Sequence, residues 1–296
     1  MQEGTTPMRP RDIKVIDTML GVPMRDDRSD WYDFFKPLLR DKESLSQFAM
    51  PAQYMFKNIP MAESVDDLPG WTVGEMDRHG IAQALIGYNE GSPLNDIVRD
   101  RFADRFIFDM PVDPNAGVDA VRAIRRAHAE IGIKAISVFP SGCVPQVPIN
   151  DKRMWPIYTT ACELDIAILI NVGVPGPRLP MAPQHVELID EVCWFFPELR
   201  FIMRHGAEPW EALAVKLMLK WPNLYYSTSA FAPKHYPKAI IDYANTRGAD
   251  KIIYAGYFPM GLSLERIFTE LDQVPFKDAV WPKFLRDNAR RALKLD

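Results

Sequence analysis

The sequence is poor in the residues that build disulfide frameworks and structural metal sites. Its 296 residues include three cysteines and five histidines. Cys143, Cys162 and Cys193 lie far apart and are odd in number, which excludes a regular disulfide framework and fits reduced thiols. No Cys-x-x-Cys spacing indicates a structural zinc site. These absences favour the cytoplasm, where we expect the protein to be found.

The chain also lacks dense basic tracts and long apolar runs. Its formal net charge is only -4, so we expect no nucleic-acid partner. No apolar run is long enough to cross a membrane, and residues 1–14 are polar and charged, unlike a signal peptide. We therefore expect no membrane partner. The hydrophobic content of 47% and the charged content of 25% are typical of a globular protein.

Short apolar segments alternate with segments of helical pattern along most of the chain. The predicted strands are 14–17, 81–87, 105–109, 132–139, 167–170, 200–203, 224–226 and 251–254. Eight strands, each followed by a helix, predict a (β/α)8 TIM barrel that forms a single domain over residues 1–296. The alternative is a doubly wound open sheet, but no Gly-x-Gly-x-x-Gly turn follows any of the strands.

Residues 21–70 interrupt this alternation. The segment contains Pro23, Pro37, Pro51 and Pro60 among many aromatic and methionine side chains. Its apolar content argues against a disordered linker and predicts a helical insertion after the first strand. The insertion would pack either as a lid over the barrel or as a dimer interface, and both roles are compatible.

The carboxyl ends of barrel strands converge on one mouth, where such barrels carry their chemistry. Five candidates follow strands one, five, six, seven and eight: Asp17, Asn171, His205, Ser229 and Tyr257. His205 is a candidate acid or base because the pKa of histidine lies near neutrality. The alternative for each is structural: a hydrogen-bonded histidine, a polar space-filler, a strand-end carboxylate or a residue that only lines the mouth.

Three further residues are candidates for binding substrate. Tyr88 and Glu90 follow the second strand, and Glu90 is also a spare base. Arg178 follows the fifth strand and suits a bidentate contact with a substrate carboxylate, although a surface salt bridge is an equal alternative. Arg204 alternates with His205 along the sixth strand, so we expect it to face the helix layer.

Several segments together resemble one known family. They are 132–135 (GIKA), 150–158 (NDKRMWPIY), 161–164 (ACEL), 171–177 (NVGVPGP), 196–206 (FPELRFIMRHG) and 254–259 (YAGYFP). Their order and spacing resemble the amidohydrolase-related family, in the branch that includes aminocarboxymuconate-semialdehyde decarboxylase. The resemblance implies a TIM barrel, a hydrolase or decarboxylase activity, a small-molecule substrate and a homodimer.

The chain departs from the family at the positions of its metal ligands. Where the family has Asp-x-His-x-His after strand one, Asp17 is followed by Met19 and Gly21. Asn171 stands at the strand-five histidine and Tyr257 at the strand-eight aspartate, which leaves His205. A catalytic zinc site needs about three protein ligands. We therefore predict that the barrel has no catalytic divalent metal and no other cofactor.

Three functions remain open at this point. The first is a metal-independent hydrolase that acts on a small organic acid, a lactone, or a cyclic or aromatic carbonyl compound. In it His205 would transfer protons, Asn171 and Tyr257 would stabilise charge, and Arg178 would anchor a carboxylate. The second is a decarboxylase or C–C lyase of the same family. The third is a non-catalytic binding barrel or the partner subunit of an active enzyme.

Overall fold

The eight predicted strands form one parallel sheet in sequence order. The computed structural model describes residues 9–23, 33–46, 55 and 65–295. The strands are β1 (Val15–Asp17), β2 (Ile81–Gly87), β3 (Phe106–Pro111), β4 (Ala135–Val138), β5 (Ala167–Asn171), β6 (Phe201–Arg204), β7 (Leu224–Ser227) and β8 (Ile252–Ile253). The predicted (β/α)8 barrel is confirmed.

Contacts between the two ends of the sheet close the barrel. The backbone N–H of Thr18 donates to the carbonyl of Tyr254 at 3.3 Å. Leu20 and Phe258 then form a parallel bridge just beyond β1 and β8. The loops that follow the first and last strands therefore meet at the carboxyl end of the barrel.

Helices connect the strands and surround them. They are α1 (Lys42–Ser46), α2 (Leu68–Arg78), α3 (Pro93–Phe102), α4 (Val118–Ile131), α5 (Trp155–Glu163), α6 (Leu188–Phe195), α7 (Glu211–Lys220), α8 (Lys238–Ala244), α9 (Leu264–Leu271) and α10 (Asn288–Leu293), with a π-helical turn at Lys283–Asp287 before α10. The sequence pattern did not predict α3, because this polar helix buries only Asn95 and Val98. No described helix is both long and apolar enough to span a membrane.

Two apolar layers hold the barrel together. One layer lies inside it and includes Ile16, Leu85, Ile107 and Ile202, with α10 packed against the same cluster. The other layer fills the space between the strands and the surrounding helices. Because side chains alternate along a strand, membership of the inner cluster shows which residues of each strand face the barrel axis.

The described part of the insertion lies against loops at the carboxyl end of the barrel. Phe35 is almost fully buried and packs edge-on against Phe139 after β4, with ring centroids 5.7 Å apart. It shares an apolar cluster with Leu39 and Leu179. Much of the predicted aromatic content, including Trp31, lies outside the described residues. The roles of lid and dimer interface remain predictions.

Gly256 offers a test of packing behind β1. A Cβ atom at this position would lie 2.6 Å from Asp17 Oδ2 and 2.7 Å from the Tyr254 hydroxyl. We expect Gly256→Ala to lower the free energy of unfolding by about 1–3 kcal/mol, because the buried groups have to shift. The matched control is Gly74→Ala in α2, where a Cβ meets nothing within 4 Å. Urea unfolding should show the control to be neutral or stabilising by about 0.5–1 kcal/mol; equal losses in both variants would contradict this packing.

Candidate active site at the carboxyl end of the barrel

Arg204 faces the interior of the barrel, so the prediction that it faces the helix layer is wrong. It lies two residues beyond Ile202, which belongs to the inner cluster. Its Nη2 is 3.4 Å from Oδ1 of Asp109, and both side chains are buried. Asp109 belongs to β3 and Arg204 to β6, strands that are not neighbours in the sheet. The contact therefore crosses the barrel interior.

The error arose from His205, whose backbone leaves the strand pattern. His205 has φ +66°, in the left-handed region that side chains disfavour. Strand alternation counted from His205 therefore gave the wrong face for Arg204. Tyr257, after β8, has φ +64°. Strained backbone of this kind clusters at functional sites, which makes this pair a candidate site on conformational grounds alone.

Ser229 holds His205 by two contacts. The Ser229 Oγ accepts the backbone N–H of His205 at 3.1 Å and lies 3.1 Å from its ring Nδ1. Ser227 donates a longer bond, 3.5 Å, to the same Oγ. Which of Ser229 Oγ and Nδ1 donates depends on the tautomer of the ring. We propose the tautomer in which Nδ1 accepts and Nε2 carries the ring proton.

The surroundings keep His205 uncharged. Burial, together with the positive charge of Arg204, lowers the pKa of His205 to about 3, while a hydrogen bond to the backbone of Ser229 opposes the shift. The ring is therefore neutral at pH 7. In this form it can donate a hydrogen bond from one ring nitrogen, and it does not titrate near neutrality.

Two more of the candidate residues, Tyr257 and Asn171, lie next to His205 and Arg204. The ring of Tyr257 packs edge-on against His205, with centroids 5.4 Å apart. Asn171 is the register partner of Arg204 on the neighbouring strand and is partly exposed. The structure thus gathers His205, Ser229, Tyr257 and Asn171 around Arg204 at one mouth.

Asp17 lies behind the barrel wall and not in the mouth. It alternates with Ile16, which faces inward. Its Oδ1 accepts the backbone N–H groups of Met19 and Gly256, each at 2.9 Å. The structure therefore favours the alternative role in which Asp17 fixes the ends of β1 and β8.

Tyr88, Glu90 and Arg178 are not brought to the mouth either. Tyr88 packs edge-on against Phe108, with centroids 6.1 Å apart. Glu90 pairs with Arg126 of α4 at 3.0 Å. The remaining candidate, Arg178, binds two carboxylates near the start of α1: Asp41 at 2.5 Å and Glu43 at 2.6 Å. Their proposed contacts with substrate remain predictions that this geometry does not favour.

Asp17→Asn tests the electrostatics behind β1. Burial raises the pKa of Asp17 to about 7, against the opposing effect of two backbone hydrogen bonds. The folded state thus binds a proton that the unfolded state releases between about pH 4 and 7, so Asp17 makes stability fall as the pH rises through that window. Asn keeps the Oδ1 acceptor without the charge. We expect the variant to match the native protein near pH 4 and to exceed it by up to about 4 kcal/mol at pH 8. A constant difference at all pH values, measured by urea unfolding, would contradict the assignment.

A family model now matches most of the chain. The model, described as amidohydrolase, matches residues 41–295. The chain belongs to the amidohydrolase family. No curated protein sequence matches this amidohydrolase-family chain.

Solved structures share its fold. A TIM-barrel protein of Bordetella bronchiseptica has a TM-score of 0.72 and 22% identity, over 95% of this chain and 99% of that one. The 5-carboxyvanillate decarboxylase of Novosphingobium aromaticivorans, with bound manganese, has a TM-score of 0.69 and 18% identity, over 96% and 98%. A dihydroxybenzoic acid decarboxylase of Polaromonas, also with manganese, has a TM-score of 0.64 and 16% identity, over 96% and 97%.

The manganese in these barrels corrects the prediction that no divalent metal takes part. The prediction treated the missing histidines as proof of a metal-free site, and it is wrong in the light of manganese-bound barrels of the same fold. The physical error lies in the assumption that one fixed set of positions must supply the ligands. Metal ions can be bound by carboxylates, carbonyl groups and water as well as by histidine.

The described side chains of this chain do not themselves fit such an ion. Among them, no group of three His, Cys, Asp or Glu residues could hold a metal. The buried carboxylate of Asp17 lies behind the barrel wall, where it interacts with the backbone N–H groups of Met19 and Gly256 and with Tyr254. Arg204 places a positive charge in the mouth. We therefore derive no chemical step through a metal.

Sequence reasoning missed Arg204 and Asp109 as members of the site. Asp109 was predicted only as the last residue of the third strand, 105–109. A signal was present, since Asp109 is two residues beyond inward-facing Ile107 and Arg204 is two beyond inward-facing Ile202. Counting from the apolar residues of each strand would have placed opposite charges in the same interior.

Proposed function

We propose that this amidohydrolase-family protein is an enzyme that removes a carboxyl group from a small aromatic or unsaturated acid. One observation carries the proposal: neutral His205 stands next to buried Arg204 in a barrel mouth. Both groups favour negative charge on a bound molecule. The substrate suited to them is an acid with a carbonyl or hydroxyl oxygen near the carbon that loses its carboxyl group.

In the proposed reaction, the bond between that carbon and the carboxylate breaks. The carboxylate leaves as CO₂, and its bonding electrons move through the conjugated system to a carbonyl oxygen, which becomes an oxyanion. In a hydroxylated aromatic acid this carbonyl forms first, as the hydroxyl loses its proton and the ring carbon gains one. Nε2–H of His205 donates a hydrogen bond to the oxyanion. The enolate carbon or the phenolate oxygen then takes a proton from water, and the hydroxide left behind converts CO₂ to bicarbonate. The overall change is acid anion plus water to decarboxylated product plus bicarbonate.

The other mouth residues assist His205. Asn171 presents a neutral amide on the neighbouring strand and would donate to the same oxygen. The buried Tyr257 shields one side of the His205 ring from water. Such preorganised donors act most strongly where water is excluded, and the loss of one typically costs about 10²–10³-fold in kcat. Ser229 acts through His205, since it fixes which ring nitrogen carries the proton.

The fold comparison supports this reaction class without establishing it. Two similar barrels are decarboxylases of hydroxylated aromatic acids. At their low identity they share the fold with this chain, and the chemistry must come from its own residues.

The test is a panel of hydroxylated benzoates and conjugated keto acids labelled with ¹³C in the carboxyl group. Each is incubated with the protein, with and without added Mn²⁺, and the release of labelled bicarbonate is followed by NMR. We expect at least one acid to be decarboxylated and His205→Ala to lower kcat by about 10²–10³-fold. Release at the native rate in His205→Ala, or binding without turnover across the panel, would count against the proposal.

Hydrolysis or hydration of a carbonyl compound is the second candidate. The same Nε2–H and amide suit it, because water attack on a carbonyl carbon also produces an oxyanion. Lactones and aryl esters distinguish the two, since they yield acid and no bicarbonate. Turnover of this second panel alone would replace the decarboxylase proposal. A ligand that raises the melting temperature while both panels fail would instead support a binding barrel.

A further inference from the structure

We infer that Arg204 and Asp109 form an anion-binding subsite at the floor of the barrel mouth, which takes an organic oxyanion of the substrate. The inference rests on the proposed function and adds a requirement to it. The substrate carries a second acidic oxygen, a carboxylate or phenolate, besides the carboxyl group that is lost.

The guanidinium of Arg204 has fewer hydrogen-bond partners than N–H donors among the described residues. Among the described residues it makes one side-chain hydrogen bond, to Asp109 at 3.4 Å. That distance exceeds the 2.7–2.9 Å of a normal charge-assisted bond. Its Nε is buried and has no hydrogen-bond partner in the described structure. A guanidinium has five N–H donors, so several remain available for a ligand.

Small residues lie beside Asp109 on both neighbouring strands. Its register partners are Gly87 of β2 and Ala135 of β4. Pro111 lies two residues beyond Asp109, and its Cγ would be 3.7 Å from a Cβ atom at position 87. A ligand bound to Arg204 therefore has small neighbours beside the carboxylate and must fit next to Pro111.

Asp109 sets the strength and the selectivity of the subsite. With 4% of its side chain exposed, it faces Arg204, whose side chain is 8% exposed. The carboxylate holds the guanidinium in place and partly cancels its charge. A substrate anion must therefore share the arginine with Asp109, which keeps the binding affinity moderate. Ligands that cannot accept hydrogen bonds from the remaining N–H groups of Arg204 are excluded.

The anion held here cannot be the carboxyl group that departs. An arginine bound to that group would stabilise the ground state more than the transition state, since the charge leaves it during the reaction, and would slow the step. A second oxyanion keeps its charge throughout. Its contact with Arg204 would therefore orient the substrate toward His205, the next residue in the chain.

Calorimetry with benzoate and its neutral isostere benzamide tests the subsite without any turnover. In the native protein we expect benzoate to bind at least tenfold more tightly. Asp109→Asn should strengthen benzoate binding several-fold and leave benzamide unchanged, because the competing carboxylate is gone. Arg204→Gln combined with Asp109→Asn removes both charges together, and should abolish the preference for benzoate while the protein still unfolds cooperatively.

Arg101→Gln is the matched control, since it removes an arginine of α3 that is paired with Asp67 and has no predicted role in the mouth. It should keep the native preference. The inference is overturned if native protein binds benzoate and benzamide equally, or if the double variant retains the preference. A preference for benzoate with no turnover on any acid would leave the subsite standing and refute the proposed function. Turnover of an acid without a preference for benzoate would support the proposed function and refute the subsite.

Discussion

His205→Ala is expected to lower kcat by about 10²–10³-fold on any acid that the native protein decarboxylates. The substitution removes the Nε2–H donor from the mouth, while the backbone N–H of residue 205 can still bond to Ser229. The measurement is steady-state kinetics with the labelled substrates. His128→Ala in α4 is the control, because it removes a histidine outside the mouth, and its kcat should be unchanged.

The pH dependence sharpens this prediction. Since the pKa of His205 is lowered to about 3, the plot of kcat/KM against pH should show no rise or fall near pH 6.5 from this ring.

The same pKa shift also affects the free energy of unfolding. Between about pH 3 and 6.5 the unfolded histidine binds a proton and the folded one does not, so His205 makes stability rise with pH. A kinetic limb near 6.5 that disappears in the alanine variant would contradict a neutral His205.

Arg204→Met is expected to lower the free energy of unfolding by about 3–5 kcal/mol. The variant leaves Asp109 as an uncompensated charge in the barrel interior. Arg204→Met combined with Asp109→Asn should recover much of the loss, because no charge then remains buried. Urea unfolding of the two single variants and the double variant forms a cycle that isolates the coupling between the two positions.

Arg178→Met is the comparison for that cycle. Its side chain is 39% exposed, and the side chains of its partners Asp41 and Glu43 are 34% and 53% exposed. Exposed ion pairs contribute about 0–1 kcal/mol. If Arg204→Met costs no more than Arg178→Met, the ion pair across the barrel does not exist in solution.

The local pattern of the sequence was enough to predict the barrel and part of its mouth. Buried parallel strands are continuous apolar runs, and the bounds of β2 were predicted to the residue at 81–87. Strand ends in a barrel must converge, which is why His205, Ser229, Tyr257 and Asn171 could be predicted to lie together. That prediction needed the order of the strands and no knowledge of side-chain contacts.

What the pattern could not supply was the direction of individual side chains and their distant partners. Arg178 meets Asp41, 137 positions earlier in the chain, and no local signal marks that pair. The position of Asp17 behind the barrel wall could not be predicted, because β1 is only three residues long and is too short to show an alternation of side chains. The left-handed backbone of His205 ended the alternation that was used to place Arg204.

The measurement that most directly tests the account is a long-range ¹H–¹⁵N NMR spectrum of the His205 ring from pH 5 to 8, in the native protein and in Ser229→Ala. The account predicts a neutral ring with the proton on Nε2 throughout in the native protein, and a mixture of tautomers once Ser229 is removed. A ring that titrates near pH 6.5, or one that carries its proton on Nδ1, would contradict the site as described.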